Sequence, residues 1–303
     1  MKITARFAAF SLLLSGAASV AAQAPQPDFS TVEVVPQQLG EGLYYLQGQG
    51  GNIGVSIGED GVFLIDDQFA PLSEKIMAAV ASLSDKPVRF LLNTHHHPDH
   101  TGGNQIFGKA GVIIIAHDNV RTTLERGFTN GELDAVLTAD QRAGLPIMTF
   151  SDSIDLFLNR EMIHAFHVAP AHTDGDSFVV FKSANVIHTG DVFRTTSYPR
   201  VDAAANGSFH GIMAGYEALL EISDENTRFL PGHGVVSTRA DVQAQLDMFR
   251  TIRDRVKVGI DAGNTLEQIQ ASNPTAEYDA QWSAGNVKAG SDLVAIIYNE
   301  LNI

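Results

Sequence analysis

The chain has 303 residues and a formal net charge of −15. A surface that acidic repels phosphate backbones, so nucleic acid is not an expected partner. There is no cysteine, which excludes thiolate metal ligands and disulfides, while a 44% hydrophobic share supplies an ordinary globular core.

Residues 1–22 combine Lys2 and Arg6 with an apolar run and a small-residue close at Val20-Ala21-Ala22. This is the three-part pattern of a secretory signal peptide. Cleavage is expected after Ala22, because a cut after Ala24 would place Pro25 beside the scissile bond. The mature protein is then expected in the periplasm or secreted. No other stretch approaches the ~18 continuous apolar residues of a membrane span.

Residues 28–39 read as extended, an edge strand. Short apolar runs at 43–46, 53–57 and 62–65 are punctuated by Gly48, Gly50 and Gly51, and then by Gly58-Glu59-Asp60-Gly61. They read as strands joined by turns. From Pro71 the period changes: Leu72, Ile76, Ala79, Val80 and Leu83 fall at helical spacing, which predicts an amphipathic helix over 71–83. A buried strand at 88–92, a helix opening at 101–107 and a strand at 111–116 follow, then helix and polar loop over 118–148. The second half predicts strands at 153–158, 162–168, 177–181 and 186–188, and helices at 211–222, 240–258 and 292–301. Strands and helices mixed in each half predict an α/β (α+β) fold, an αββα sandwich of two packed mixed sheets flanked by helices. With no linker-like boundary, residues 28–303 are expected to form one domain.

The segment that carries chemistry is Asn93-Thr94-His95-His96-His97-Pro98-Asp99-His100-Thr101-Gly102-Gly103. It follows an apolar strand and precedes a glycine-opened helix. Four potential metal ligands within six residues, left uncoordinated, would cost desolvation and gain nothing. On an extended loop His95 and His97 project to one side, while Asp99 and His100 turn toward a neighbouring point. That arrangement can feed two closely spaced metals, as in bimetallic hydrolases.

The string His95-x-His97-x-Asp99-His100 resembles the signature of the metallo-β-lactamase superfamily, and further blocks follow in family order. Ile65-Asp66 ends an early strand, and His172 lies in Pro170-Ala171-His172-Thr173-Asp174-Gly175-Asp176. Asp191 lies in His188-Thr189-Gly190-Asp191, and His233 in Phe229-Leu230-Pro231-Gly232-His233-Gly234. The resemblance implies that His95, His97 and His172 bind a first zinc and that Asp99, His100 and His233 bind a second, which Asp191 completes or bridges to the first. It implies two Zn²⁺ per chain, with iron or manganese left open as the metal. It assigns His95, His97 and Asp99 as catalytic, around a metal-bound hydroxide that attacks a carbonyl of a small molecule. Three imidazoles leave a tetrahedral zinc one open position, as catalysis requires.

Arg194, three residues after Asp191, is a candidate grip for a substrate carboxylate, and His210 a candidate substrate contact. Asp66 is expected to accept a hydrogen bond from a metal-bound imidazole. His96 is expected to point away and His164 and His167 to pack or face solvent, while His117 and His188, at strand ends, are minor candidates for supporting the site. Asp191 stands where the main broad-spectrum lactamases place cysteine, and so resembles the hydroxyacylglutathione hydrolase type. That type carries basic and tyrosine residues in a C-terminal substrate domain, whereas here the tail from about 240 onward holds few basic residues. The favoured expectation is a hydrolase of lactam, lactone or ester-like substrates. A thioesterase and an iron-dependent sulfur dioxygenase are the alternatives, and the oligomeric state is left open.

Overall fold

The computed structural model describes residues 28–132 and 135–302; the expected signal peptide lies outside the described residues. Seven strands form the first sheet in sequential order: β1 (Val35–Gly40), β2 (Leu43–Gln47), β3 (Ile53–Gly58), β4 (Gly61–Ile65), β5 (Val88–Asn93), β6 (Ile113–His117) and β7 (Met148–Phe150). The first four pair antiparallel, and β4 through β7 run parallel. The second sheet has the order β13-β12-β11-β10-β9-β8, built from β8 (Ser153–Leu158), β9 (Glu161–His167), β10 (Ser177–Phe181), β11 (Val186–His188), β12 (Arg228–Leu230) and β13 (Ser237–Thr238). In it, β11 and β12 are parallel.

The two sheets pack face to face because their central strands are apolar on both sides, as strands covered on both faces must be. In β4, Phe63 and Ile65 meet Val179 and Phe181 of β10 between the sheets. The alternate residues Val62 and Leu64 turn outward under Leu72, Ile76 and Val80, the last two on α1 (Ser73–Leu83). On the other outer face, Phe178 and Val180 of β10 share a cluster with residues of α6 (Phe209–Ile222) and α7 (Arg239–Asp261). The result is the expected αββα sandwich. The apolar stripe of α7 is regular: Val242, Leu246, Phe249, Ile252 and Val256 are buried, and Thr238 and Asp241 close a reciprocal capping box at its start.

Parallel pairing requires crossovers, and the crossovers bring loops to the C-terminal ends of β4, β5, β11 and β12. Four short helices, α2 (Pro98–Thr101), α3 (Asn104–Lys109), α4 (Asp118–Thr129) and α5 (Ala139–Ala143), fill the crossovers of the first sheet. After α7 come α8 (Leu266–Ala271), α9 (Asp279–Trp282) and α10 (Ala289–Leu301). Among the described residues no helix is long and apolar enough to cross a membrane.

Several boundaries differ from the sequence reading. The extended stretch begins with a 3-10 turn at Phe29–Thr31, where the Asp28 side chain accepts the Ser30 N–H, and pairing starts only at Val35. The helix read at 101–107 is two pieces. The first starts at Pro98, whose fixed φ and missing N–H suit the first helical turn. The strands not expected from the sequence, β7, β12 and β13, have two or three residues each, too few to show a period.

Candidate active site

Residues 94–103 are held at both ends. A reciprocal pair of buried amides joins Asn93 at the end of β5 to Asn104 at the start of α3, at 2.9 and 3.1 Å. Asp66, just past β4, organises the middle. Its Oδ1 accepts the Thr94 N–H at 2.7 Å, and its Oδ2 accepts from the Thr94 hydroxyl at 2.8 Å and from His100 Nδ1 at 2.7 Å. To reach all three, Asp66 adopts φ 64°, with Gln68 at 55°. Non-glycine residues adopt this conformation only when their surroundings impose it.

These contacts fix the tautomers of the ring nitrogens, because a carboxylate or carbonyl oxygen can only accept. His100 donates from Nδ1 to Asp66. His172 donates from Nδ1 to the Arg200 carbonyl at 2.7 Å. His97 donates from Nε2 to Asp202 Oδ2 at 2.9 Å. The Thr94 hydroxyl gives its proton to Asp66, so at 3.1 Å it accepts from His95 Nδ1. The neutral forms of His95, His97, His100 and His172 therefore turn a bare lone pair toward one point.

Those lone pairs are too close to be left alone. His97 Nδ1 lies 2.9 Å from His172 Nε2, and His100 Nε2 lies 3.4 Å from His233 Nε2. His95 Nε2 and Asp191 Oδ1 are buried with no hydrogen-bond partner in the protein. Facing acceptors and orphaned buried oxygens and nitrogens are what a cation would satisfy. The structure brings His95, His97 and His172 together as one group of possible ligands and Asp99, His100 and His233 as a second. Asp191 stands between them: its Oδ2 is 3.8 Å from His172 Nε2 and 3.4 Å from His233 Nε2, and its Oδ1 is 3.4 Å from His100 Nε2.

Burial lowers the pKa of His95 well below the ordinary histidine value, and brings that of His172 to about 4 against the pull of Asp191. Both are neutral at physiological pH. Burial acts on His100 the same way, but the Asp66 and Asp191 carboxylates outweigh it and hold this imidazole well above the usual range. Burial likewise opposes ionisation of Asp191, and His100 reverses it. Asp99 is held at about 2, its burial outweighed by the His233 hydrogen bond and the charge of His100.

A family model described as the metallo-beta-lactamase superfamily matches residues 47–233. The chain belongs to that superfamily. It is 25% identical over 250 residues to a linear primary-alkylsulfatase of a Pseudomonas species, covering 69% of this chain and 47% of that protein. It is 21% identical over 213 residues to the alpha subunit of a 2,4-dinitroanisole O-demethylase of a Nocardioides species, covering 68% and 61%. The chain thus spans about half the length of the first relative and about three-fifths of the second. The fold is shared with a metallo-beta-lactamase from Pontibacter korlensis, at TM-score 0.61 and 12% identity, covering 72% of this chain and 99% of that one. It is shared too with a double mutant of the sec-alkyl sulfatase PisA1, at TM-score 0.68 and 17% identity, covering 88% and 50%.

The other residues singled out in the sequence fall in varied places around this candidate site. Arg194 is buried and turned inward, with Nη1 3.5 Å from Asp191 Oδ2 and Nη2 3.3 Å from the Thr196 hydroxyl. The carboxylate it meets is the protein's own. His210 does not join the ligand groups. It is exposed on the first turn of α6, its backbone N–H bonded to Glu300, in a cleft shared with Arg253 and Leu301. His96 lies outside both ligand sets, grouped with His97 and Asp202. His188 is buried and bonded to backbone on both ring nitrogens, to Asn52 O at 3.0 Å and from the Gly190 N–H at 3.2 Å. His117 is bonded likewise, to Ser151 O and from the Asn119 N–H, and stacks on His167 at 3.8 Å. His164 pairs with Asp155 near the surface.

Sequence reasoning missed Asp202 and Asn52. Asn52 donates to the carbonyls of Pro231 and Gly234, at 2.8 and 3.0 Å, and so pins the loop that carries His233. Both residues act on partners more than a hundred positions away, and neither lies in a recognisable local pattern.

Gly232 is in the same loop. A Cβ there would sit 2.1 Å from Asp191 Oδ1 and 2.9 Å from the Gly190 carbonyl. Gly232→Ala is expected to displace the Asp191 carboxylate. Metal affinity should fall on the order of 10–100-fold, as for lost supporting contacts in metal sites. Zinc titration of the purified variant checks this, with circular dichroism to show an intact fold.

Proposed function

We propose that the protein is a dinuclear zinc hydrolase that cleaves the acyl C–N or C–O bond of a lactam, lactone or ester-like small molecule. The observation that best supports this reading is the position of Asp191, whose two oxygens face nitrogens of both ligand groups. His95, His97 and His172 would hold one metal and Asp99, His100 and His233 the other, with Asp191 reaching both. When bound, such metals polarise the scissile group and bring the pKa of water near neutrality.

The chain's own residues do the rest. Asp66, Asp202, Thr94 and the Arg200 carbonyl hold four imidazoles in the tautomer that offers a lone pair inward. Asp99 and His233 border a mouth of about 360 Å³ with Gly50 and Phe69. Asp99 is the more exposed carboxylate of the set, at 25% against 4% for Asp191. Its low pKa makes it an ionised acceptor at neutral pH, able to orient a donor group at the mouth.

Elemental analysis of gently purified protein is expected to return two zinc ions per chain. The zinc-loaded protein is then assayed against a cephalosporin, a lactone, a thioester, a phosphodiester and a primary alkyl sulfate. Cleavage of the cephalosporin or lactone supports the reading. One tightly held iron with no hydrolysis would overturn it, and cleavage of the thioester alone would move it to that class. Zinc should also stabilise the fold, by about 1.4 kcal/mol for each tenfold of free metal above Kd, and chelation should lower Tm accordingly.

A further inference from the structure

A second cavity opens beside the cluster of candidate ligands, and its wall carries an arginine side chain that pairs with nothing among the described residues. It has a volume of about 470 Å³, within the range of small-molecule sites, and lies between the 194–201 loop and the C-terminal helices. Thr196 borders both this cleft and the mouth over Asp99 and His233, so the two cavities meet there. Arg200 is anchored directly behind a candidate ligand, since its carbonyl accepts from His172 Nδ1. Its side chain is exposed to the cleft and makes no hydrogen bond or ion pair with the described residues. Asp292, also in the cleft wall, does not pair with it. Arg194 lies in the same wall, and its buried Nε meets no acceptor. The same wall carries the half-buried Val201 and Ile296, with the buried Leu293 beneath them.

In a chain of net charge −15, an unpaired guanidinium next to an apolar strip selects for a ligand with one anionic group and a hydrocarbon tail. We propose that this cleft binds the substrate as a single-chain anionic amphiphile. Its anionic head rests on Arg200 and its tail lies along Val201 and Ile296. That the bound ligand is the substrate rests on the hydrolase reading; its binding does not.

Trp282 is the chain's single tryptophan and gives a local signal: its carbonyl accepts the Tyr198 N–H at 2.8 Å, and Tyr198 and Ser283 line the cleft. Its fluorescence is followed while zinc-loaded and chelator-treated protein are titrated with submicellar decanoate, butyrate and decanol. Decanoate should bind in both forms and more tightly than either control. Arg200→Gln should weaken decanoate about tenfold or more, the effect of a lost hydrogen bond to a charged group, and leave decanol unchanged. Asp292→Asn should tighten decanoate. Ile296→Ser should weaken decanoate and spare butyrate. Equal losses for decanoate and decanol in Arg200→Gln, or no effect at all, would overturn the anion role. The absence of any response to decanoate would overturn the cleft, whether or not zinc-dependent hydrolysis is found. Binding without such hydrolysis would leave the cleft standing and count against the hydrolase reading alone.

Discussion

Asp191→Asn is expected to lose metal and activity together, with kcat/KM falling on the order of a thousandfold. The substitution keeps the size of the side chain and one of its oxygens. It removes the charge and turns an amide toward the nitrogens of His100, His172 and His233, which lie 3.4 to 3.8 Å from the carboxylate. The loss corresponds to several kcal/mol of Lewis-acid stabilisation at about 1.4 kcal/mol per tenfold. A second effect adds to it. Arg194 has Asp191 as its ion-pair partner, at 3.5 Å, and both side chains are more than nine-tenths buried. Breaking a buried pair from one side costs about 3–5 kcal/mol, because the surviving charge is stranded. Arg194→Ala should accordingly reduce metal retention, rather than act only through KM as a pure substrate grip would. Zinc content after desalting, kcat and KM, and Tm for the two variants check this. Full zinc occupancy in Asp191→Asn would refute it.

Asp202→Ala is expected to lower zinc affinity on the order of 10–100-fold. Asp202 has two separate tasks. Its Oδ1 accepts the N–H groups of Ala204 and Ala205, at 3.0 and 3.2 Å, and shapes the turn there. Its Oδ2 accepts from His97 Nε2 and so leaves Nδ1 free to face His172. The same residue's backbone N–H bonds to the His172 carbonyl at 2.9 Å. Asp202→Asn separates the tasks: one oxygen can still cap the turn, but the amide NH₂ cannot accept from His97. Competition titration should therefore show nearly the full loss of zinc affinity in Asp202→Asn, while its Tm without metal stays closer to that of the parent than Asp202→Ala does. Unchanged affinity in both variants would show that His97 needs no partner to hold its orientation.

The ligand loop was legible in the sequence because its signal is local. Four potential ligands between positions 95 and 100, after an apolar strand, point to one chemistry wherever the rest of the chain goes. The doubly buried strands were legible for a related reason: runs such as Val62 to Ile65 carry enough apolar residues to stand out. What could not be read is what depends on distant partners. Asp202 is 105 positions from His97, and Asn52 is 179 from Pro231. Arg194 shows the limit most clearly. Its spacing from Asp191 suggested a hand held out to substrate, and only the fold shows the guanidinium turned back onto Asp191 itself. The start of α2 was hidden differently: its four residues, Pro98 to Thr101, include two candidate ligands and show no helical apolar pattern.

The candidate ligands divide four to three between the two halves of the chain. His95, His97, Asp99 and His100 follow a strand of the first sheet, and His172, Asp191 and His233 come from loops of the second. The connection between the sheets passes through Ser151 and Asp152, both exposed. A chain cut there would yield two fragments, each with an incomplete coordination set and one uncovered apolar sheet face. Zinc would then act as the cross-linker that selects the correct reassembly, and recovery of the intact molecule from its fragments would depend on metal concentration as well as on the fragments' own.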